Sequence, residues 1–183
     1  MELLYLLINF LQSIMEKTSS KSLILSYGFL LGLVSILMSV LKYVLSSNYL
    51  EKNFFETLAG ILITVALVVL PIYYYRKNNN GLLSLSQSIK IGLGVSAIAG
   101  IIGAIYFFVF ANYIEPNFAD NLMNVQMKEA MASNPNVSEA QMQEGMEMAK
   151  GFMMPMFYAM VILSNLFFGL IISLIAGLVL RKE

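Results

Sequence analysis

Four long apolar stretches dominate the chain and restrict its fold more than any other feature. They cover residues 22–45, 57–75, 91–114 and 152–180. A helix needs about 20 predominantly apolar residues to cross the ~30 Å hydrocarbon layer of a bilayer, where every backbone polar group must be hydrogen-bonded. Each stretch is long enough. The sequence therefore predicts an all-α integral membrane protein with four transmembrane helices, which form a membrane domain over residues 22–183.

The side-chain chemistry of the chain is narrow. Of the 183 residues, 58% are apolar or aromatic and only 12% are charged, about half the charged fraction of an ordinary soluble domain. The chain contains no Cys and no His, so it lacks disulfides, thiol nucleophiles, imidazole bases and the usual zinc ligands. Eleven basic residues balance eleven acidic ones, so the charge does not indicate nucleic-acid binding. We expect no catalytic, cofactor or metal site, and an enzyme is the least favoured class of function.

The basic residues are distributed unequally between the two sides of the predicted bundle. Short loops that are rich in Lys and Arg stay on the cytoplasmic side of a membrane. Seven basic residues lie on the side of the two termini and of the second loop: Lys17, Lys21, Arg76, Lys77, Lys90, Arg181 and Lys182. The opposite side carries four basic residues among eight carboxylates: Lys42, Lys52, Lys128 and Lys150. This distribution predicts that both termini are cytoplasmic.

The segment before the first span, residues 1–21, is predicted to be cytoplasmic. Its first fifteen residues are apolar but too few to cross a bilayer. Glu2 replaces the basic residue that a signal peptide carries near its start, and no small-residue cleavage site follows. Two interpretations remain: these residues form an interfacial helix, or translation begins at Met15.

The second loop begins with a cluster of turn-forming residues, 78–81, which predicts a tight reversal of the chain. In residues 82–90, Leu and Ile alternate with Ser, Gln and Lys. This pattern predicts either a short amphipathic segment at the membrane interface, before the third span enters at residue 91, or an irregular loop.

Small residues recur every four positions in three of the spans. Such residues let membrane helices approach closely, because contact between helices in lipid depends on packing and hydrogen bonds. The ladders consist of Gly28 and Gly32 in the first span, Gly92, Ser96, Gly100 and Ala104 in the third, and Gly169, Ser173 and Gly177 in the fourth. They predict a four-helix bundle, but they do not distinguish packing within one chain from a homo-oligomer.

Polar groups inside the spans are few. Asn165 is the most interior candidate, and with Thr64 and Asn112 it is expected to hydrogen-bond across helices. Lys42 lies near one end of its span, where its ammonium group can extend to the lipid headgroups. Pro71 and Pro155 are expected to kink their helices near the ends.

The stretch 115–150 is the one sizeable polar part of the chain, with six acidic residues and two lysines. A break at residues 133–136 and a capping pattern from Ser138 to Gln141 predict an extracytoplasmic amphipathic helical hairpin between the third and fourth helices. Ten of the thirteen Met residues fall between Met123 and Met160. Thioethers in such numbers could bind copper(I). Helical spacing of the Met residues favours the simpler interpretation, in which they pack against each other or against a partner.

Three stretches resemble one known family. They are residues 80–92 with Leu85, Gln87 and Gly92, the exit of the third helix through Tyr113, Ile114, Glu115, Pro116 and Phe118, and the closing Ile172, Ser173, Leu174 and Ile175 before Arg181 and Lys182. From about Met15 onward the chain resembles the bacterial membrane family DUF4199, a domain of unknown function, which favours the later start codon. The resemblance implies four spans with a soluble insertion before the last, in a bacterial inner membrane, and it carries no assigned activity.

Two functions agree with these observations. The first is a non-enzymatic membrane protein, embedded in the lipid bilayer, whose hairpin contacts a protein partner, a lipid or an envelope component. The second is a small transport or channel subunit that lines a path only as a homo-oligomer. Deletion of residues 120–145 is expected to abolish the first function, whereas changes to Asn165 or to the glycine ladders are expected to abolish the second.

Overall fold

The structure, a computed structural model, describes residues 19–46, 48–51, 53–133 and 139–182. Five α-helices occupy these residues: α1, Ser20–Leu45; α2, Phe54–Asn78; α3, Leu85–Val109; α4, Phe118–Ser133; and α5, Glu139–Leu180. The helix α3 continues as a π-helix over Phe110–Ile114. No strand occurs in the described ranges, although Leu83 and Lys182 form an isolated antiparallel β-bridge. The predicted all-helical fold is confirmed for this part of the chain.

Four helical segments are long and apolar enough to cross a membrane, which confirms the prediction of a multi-pass membrane protein. They are Ser20–Leu45, Phe54–Asn78, Leu85–Ile114 and Gly151–Leu180. Many large apolar side chains on these segments face outward, among them Leu25, Ile105 and Val179. Lipid can cover such a surface, whereas its exposure to water would be energetically unfavourable.

The start of α2 is set by a side-chain cap. The Asn53 side chain accepts hydrogen bonds from the backbone N–H groups of Phe55 at 2.9 Å and Glu56 at 3.4 Å. These bonds satisfy two of the donors that a helix start leaves without an intrahelical partner. The helix therefore begins at Phe54, three positions before the predicted boundary at Thr57. It ends at Asn78, and the chain reverses through Asn80 and Gly81, whose φ angles are 53° and 79°.

The prediction that the third helix begins at residue 91, after a separate interfacial segment or loop, is wrong. Ser84 caps the helix: its Oγ accepts from the N–H of Gln87 at 3.2 Å, while Gln87 Oε1 accepts from the N–H of Ser84 at 2.9 Å. This reciprocal capping box starts α3 at Leu85. Ser88, in the first turn of α3, is fully buried. The polar residues of this segment therefore serve capping and helix contact.

The last helix, α5, has 42 residues. At ~1.5 Å per residue it is about 63 Å long, twice the thickness of the hydrocarbon layer. Its membrane-spanning part is Gly151–Leu180, so the twelve residues from Glu139 to Lys150 extend the same helix beyond the span. The predicted second arm of the hairpin and the fourth span are thus one continuous helix. The helix continues through Pro155, and α2 likewise continues through Pro71.

The core of the bundle is built around α3, which packs most extensively against α5 and α1. The main buried cluster contains Leu23, Tyr27, Leu31, Val68, Ile72, Leu83, Ile91, Val95, Ala99 and Ala176. A second, smaller cluster of Phe110, Ala111 and Phe118 lies where α1 ends, at the opposite end from the Leu83–Lys182 bridge. We call these two ends the Lys42 end and the Lys182 end.

Candidate functional site

The small residues of the first span let α3 approach α1. An ideal Cβ on Gly28 would lie 2.7 Å from Ile98 Cβ, and one on Gly32 would lie 2.9 Å from Ile102 Cβ. Carbon atoms in contact are normally ~3.5–4.0 Å apart. The two isoleucines therefore occupy the space that side chains at positions 28 and 32 would need.

The ladders of the third and fourth spans face each other. A Cβ on Gly92 would overlap the Ser173 side chain, and a Cβ on Gly169 would overlap the Ser96 side chain. Each glycine also lies against the partner's backbone, because the added Cβ would be 3.3 Å from the other glycine's carbonyl oxygen. Glycine and serine thus alternate across the crossing point of α3 and α5.

This contact extends towards both ends of the bundle. At the Lys182 end, Gly177 lies against Leu85 and Ser88 of α3. On the other side of the crossing, Gly100 lies against Asn165 and Ile162 of α5. Every ladder glycine named above therefore has a neighbouring helix of the same chain against it.

The serine hydroxyls in this interface differ in their hydrogen bonding. Ser88 Oγ donates to the Ser173 carbonyl oxygen at 2.7 Å, joining α3 to α5, and Ser173 Oγ donates within α5 to the Leu170 carbonyl oxygen at 3.1 Å. Ser96 is 1% exposed, and its Oγ has no hydrogen-bond partner among the described residues. Its hydroxyl lies against Gly169.

Among the described residues, two of the three predicted intramembrane polar residues hydrogen-bond within their own helices. Asn165 Nδ2 donates to the Val161 carbonyl oxygen at 2.9 Å, and Thr64 Oγ1 donates to the Gly60 carbonyl oxygen at 2.8 Å. Each target lies four residues earlier, within reach of a short side chain on the same helix. Asn112 also bonds within its helix, but its Nδ2 lies 3.2 Å from the Tyr158 hydroxyl of α5 as well.

A carboxylate at the Lys42 end connects three elements. The Tyr43 hydroxyl of α1 donates to Glu115 Oε2 at 2.9 Å, and Asn121 Nδ2 of α4 donates to Glu115 Oε1 at 3.2 Å. Glu115 follows the π-helix directly, and its N–H donates to the Phe110 carbonyl oxygen at 2.8 Å. The wider π turn thus places the carboxylate between the two donors. Phe110 packs edge-on against Tyr43 with ring centres 5.1 Å apart.

Two adjoining grooves open between α1 and α2 at the same end, with volumes of about 390 and 550 Å³. Lys42, Ser46 and Glu56 line both of them, and we call them together the α1–α2 groove. Lys42 Nζ lies 3.0 Å from Glu56 Oε2 and donates to the Glu51 carbonyl oxygen at 2.7 Å. Sequence reasoning assigned Lys42 to the headgroup region but missed this ion pair. The sequence feature that could have indicated this ion pair is the presence of opposite charges, Lys42 and Glu56, on the two sides of the loop between α1 and α2.

A third groove, of about 290 Å³, lies between α4 and α5. Its lining is Gln126, Phe152, Met153, Met156, Phe157 and Met160. We call it the α4–α5 groove. Three of its residues are strongly exposed: Phe152 by 78%, Met156 by 64% and Met160 by 52%. It therefore brings part of the Met cluster onto an uncovered apolar surface. The side chains of Met142 and Met146 lie outside the described residues.

The described residues of the site form polar contacts between helices and apolar grooves on the surface. No group of three or more Asp and Glu residues within ligand distance of one metal occurs among the described residues. The Tyr43–Glu115–Asn121 contact and the Lys42–Glu56 pair hold elements together at one end of the bundle. The α1–α2 groove and the α4–α5 groove are two places where a further molecule fits.

The family profile described as a protein of unknown function, DUF4199, matches residues 26–182 of the chain. No curated protein matches the chain significantly. No solved structure matches it significantly either. Because the matched residues make up most of the chain and include all four membrane-spanning helices except the first turns of α1, the chain belongs to the DUF4199 family of proteins of unknown function.

Proposed function

We propose that this protein is a non-enzymatic component of a bacterial plasma membrane that binds an apolar helix of another membrane protein in its α4–α5 groove. In the proposed orientation both termini are cytoplasmic, and α4 with the first part of α5 forms a helical hairpin on the outer side. The excess of Lys and Arg near the termini and in the second loop supports this orientation.

The observation that carries the proposal is the uncovered apolar surface of the α4–α5 groove. Phe118 of α4 packs against Phe157 of α5 with ring centres 6.3 Å apart, so the two helices contact each other at the base of the proposed hairpin. Further along, their contact leaves Phe152 and Met156 exposed. Apolar surface grooves commonly mark sites where a protein contacts another protein or a membrane.

A helix is the occupant that best suits this groove. Met side chains are unbranched and adaptable, and surfaces rich in them accept apolar helices. The groove begins at Phe152, the second residue of the fourth membrane-spanning segment. A partner helix could therefore enter the groove from the membrane while its end remains at the interface.

Site-specific photo-crosslinking tests this function. We expect a photoreactive residue at Met156, in protein expressed in native membranes, to give one adduct of discrete mass above the 20.4 kDa chain. The same residue at Ile61, an exposed apolar position of α2, serves as the lipid-facing control. A second substitution, Phe152→Glu, is expected to abolish the Met156 adduct. Lipid adducts alone at Met156, or the same protein adduct from Ile61, would contradict the proposal.

The orientation has its own test, since the chain contains no Cys and each introduced thiol is therefore unique. Asn48 is exposed in the first loop, and Asn79 is half-exposed in the second loop. An impermeant thiol reagent on intact cells is expected to label Asn48→Cys and to leave Asn79→Cys unlabelled until the membrane is opened. The reverse pattern would invert the proposed orientation.

The alternative of a channel subunit gains no support from the ladders. Their glycines lie against helices of the same chain. Those helix faces are therefore covered within one chain and are not free to contact a second copy.

A further inference from the structure

The α1–α2 groove combines a charged mouth with an apolar interior. Lys42 and Glu56 lie at its mouth, and Met38, Leu41 and Gly60 line its walls. It shares no lining residue with the α4–α5 groove. An inference about its ligand is therefore independent of the function proposed for the hairpin.

The helix geometry places the mouth at the level of lipid headgroups. Lys42 lies in the last turn of α1 and Glu56 in the first turn of α2, so both are at the ends of membrane-spanning segments. Met38 and Gly60 each lie four residues deeper in their helices. At ~1.5 Å per residue, the apolar walls extend about 6 Å from the ion pair towards the hydrocarbon layer.

Gly60 keeps the groove open. A Cβ added to this residue would meet no atom within 4 Å, in contrast to the ladder glycines of α1 and α3. The missing side chain leaves room between α1 and α2, beside Met38 and Leu41. An acyl chain is the natural filling for an apolar space at this depth of a bilayer.

The charges around the mouth specify a zwitterionic headgroup. At the mouth the Lys42 ammonium is balanced by the Glu56 carboxylate, so this pair has no net charge that would attract an anionic lipid. The Lys42 ammonium has three N–H donors, and the ion pair and the Glu51 carbonyl oxygen engage two of them. Its third donor can bond a phosphate oxygen. The Glu56 carboxylate can accept from a primary ammonium group.

We propose that the α1–α2 groove is a binding site for phosphatidylethanolamine. The lipid phosphate contacts Lys42, the ethanolamine ammonium donates to Glu56, and one acyl chain lies between α1 and α2 beside Gly60. The primary ammonium is essential to this geometry. A choline headgroup has no N–H to donate, and a glycerol headgroup leaves a net negative charge beside Glu56.

Native mass spectrometry of the intact chain in detergent tests the site. Dioleoyl lipids with ethanolamine, choline or glycerol headgroups are titrated, and the lipid-bound fractions are compared. We expect the ethanolamine lipid to bind about fivefold more tightly than either competitor, the magnitude of one partly exposed charge contact. Glu56→Gln is expected to remove this preference. Equal binding of the three lipids by the unmodified protein would overturn the proposal.

A filled groove provides the second arm of the test. Gly60→Leu is expected to lower binding of the ethanolamine lipid about tenfold, because the leucine side chain occupies the acyl-chain position. Gly151→Leu is the matched control, since a Cβ there also meets no atom within 4 Å but lies on α5. Far-UV circular dichroism verifies that both variants are folded. Unchanged binding by Gly60→Leu, or an equal loss in Gly151→Leu, would refute the assigned groove.

Discussion

The alternation of glycine and serine between α3 and α5 makes Gly169→Ala the most informative substitution. The added Cβ would lie 2.5 Å from Ser96 Cβ and 3.3 Å from the Gly92 carbonyl oxygen. Carbon atoms need ~3.5–4.0 Å, so the two helices must separate by about 1 Å. A gap of this size forfeits roughly a quarter to a half of the dispersion energy between facing atoms. Overpacking of a well-packed interface costs about 1–3 kcal/mol.

Gly60→Ala is the matched control for this substitution. Both changes replace glycine by alanine inside a helix, so the gain of about 1 kcal/mol in helix propensity cancels between them. No atom lies within 4 Å of a Cβ at position 60. We therefore expect Gly169→Ala to be about 1–3 kcal/mol less stable than Gly60→Ala. The chain has no Trp, so unfolding by sodium dodecyl sulfate in mixed micelles is followed by far-UV circular dichroism.

A double mutant identifies the cause. Ser96→Gly removes both atoms of Ser96 that the new methyl group would overlap. Combined with Gly169→Ala, it is expected to recover a coupling energy of about 1 kcal/mol or more. The explanation fails if the double mutant shows no coupling, or if Gly169→Ala is as stable as Gly60→Ala.

Three further substitutions are measured by the same unfolding assay. Tyr43→Phe removes the donor to Glu115, and we expect a loss of about 1 kcal/mol, which Glu115→Gln should largely mask in a double-mutant cycle; additive losses would contradict the contact. Ser84→Ala removes the acceptor in the capping box with Gln87, and a loss of about 1 kcal/mol is expected; an unchanged midpoint would show that the cap is dispensable. Asn165→Ala is expected to cost less than about 0.6 kcal/mol, the average for a hydrogen bond between membrane helices, because its side chain bonds within its own helix; a loss above about 2 kcal/mol would indicate an interhelical role.

The membrane-spanning helices could be predicted because the bilayer acts on each segment separately. A run of apolar residues and the charges that end it are local properties. Helix boundaries that are set by side-chain caps were harder to predict from the sequence. The segment from Leu85 to Lys90 has the amphipathic pattern of an interfacial segment, yet the capping box at Ser84 and the burial of Ser88 make it the first turns of α3.

The candidate sites depended on residues that are distant in the sequence. Tyr43 and Glu115 are 72 positions apart, and their contact requires both the end of α1 and the π turn after α3. Lys42 and Glu56 are closer in the sequence, but a hydropathy pattern indicates only that each charge lies at the end of a span. It does not indicate that the two side chains form an ion pair. The Met cluster was visible in the sequence. The exposure of Met156 and Met160 beside Phe152 was not, because it depends on how α4 lies against α5.

The amino-acid sequence therefore determines the number of spans, their approximate limits and the absence of Cys and His. Each of these follows from composition within a single segment. Tertiary structure settles which surfaces meet: Gly28 faces Ile98, and Ser88 bonds to Ser173, 85 positions away. Lipid is as apolar as the helix surfaces, so hydropathy cannot rank one helix face over another. Close packing and hydrogen bonds between particular residues make that choice, and they exist only when the helices are assembled.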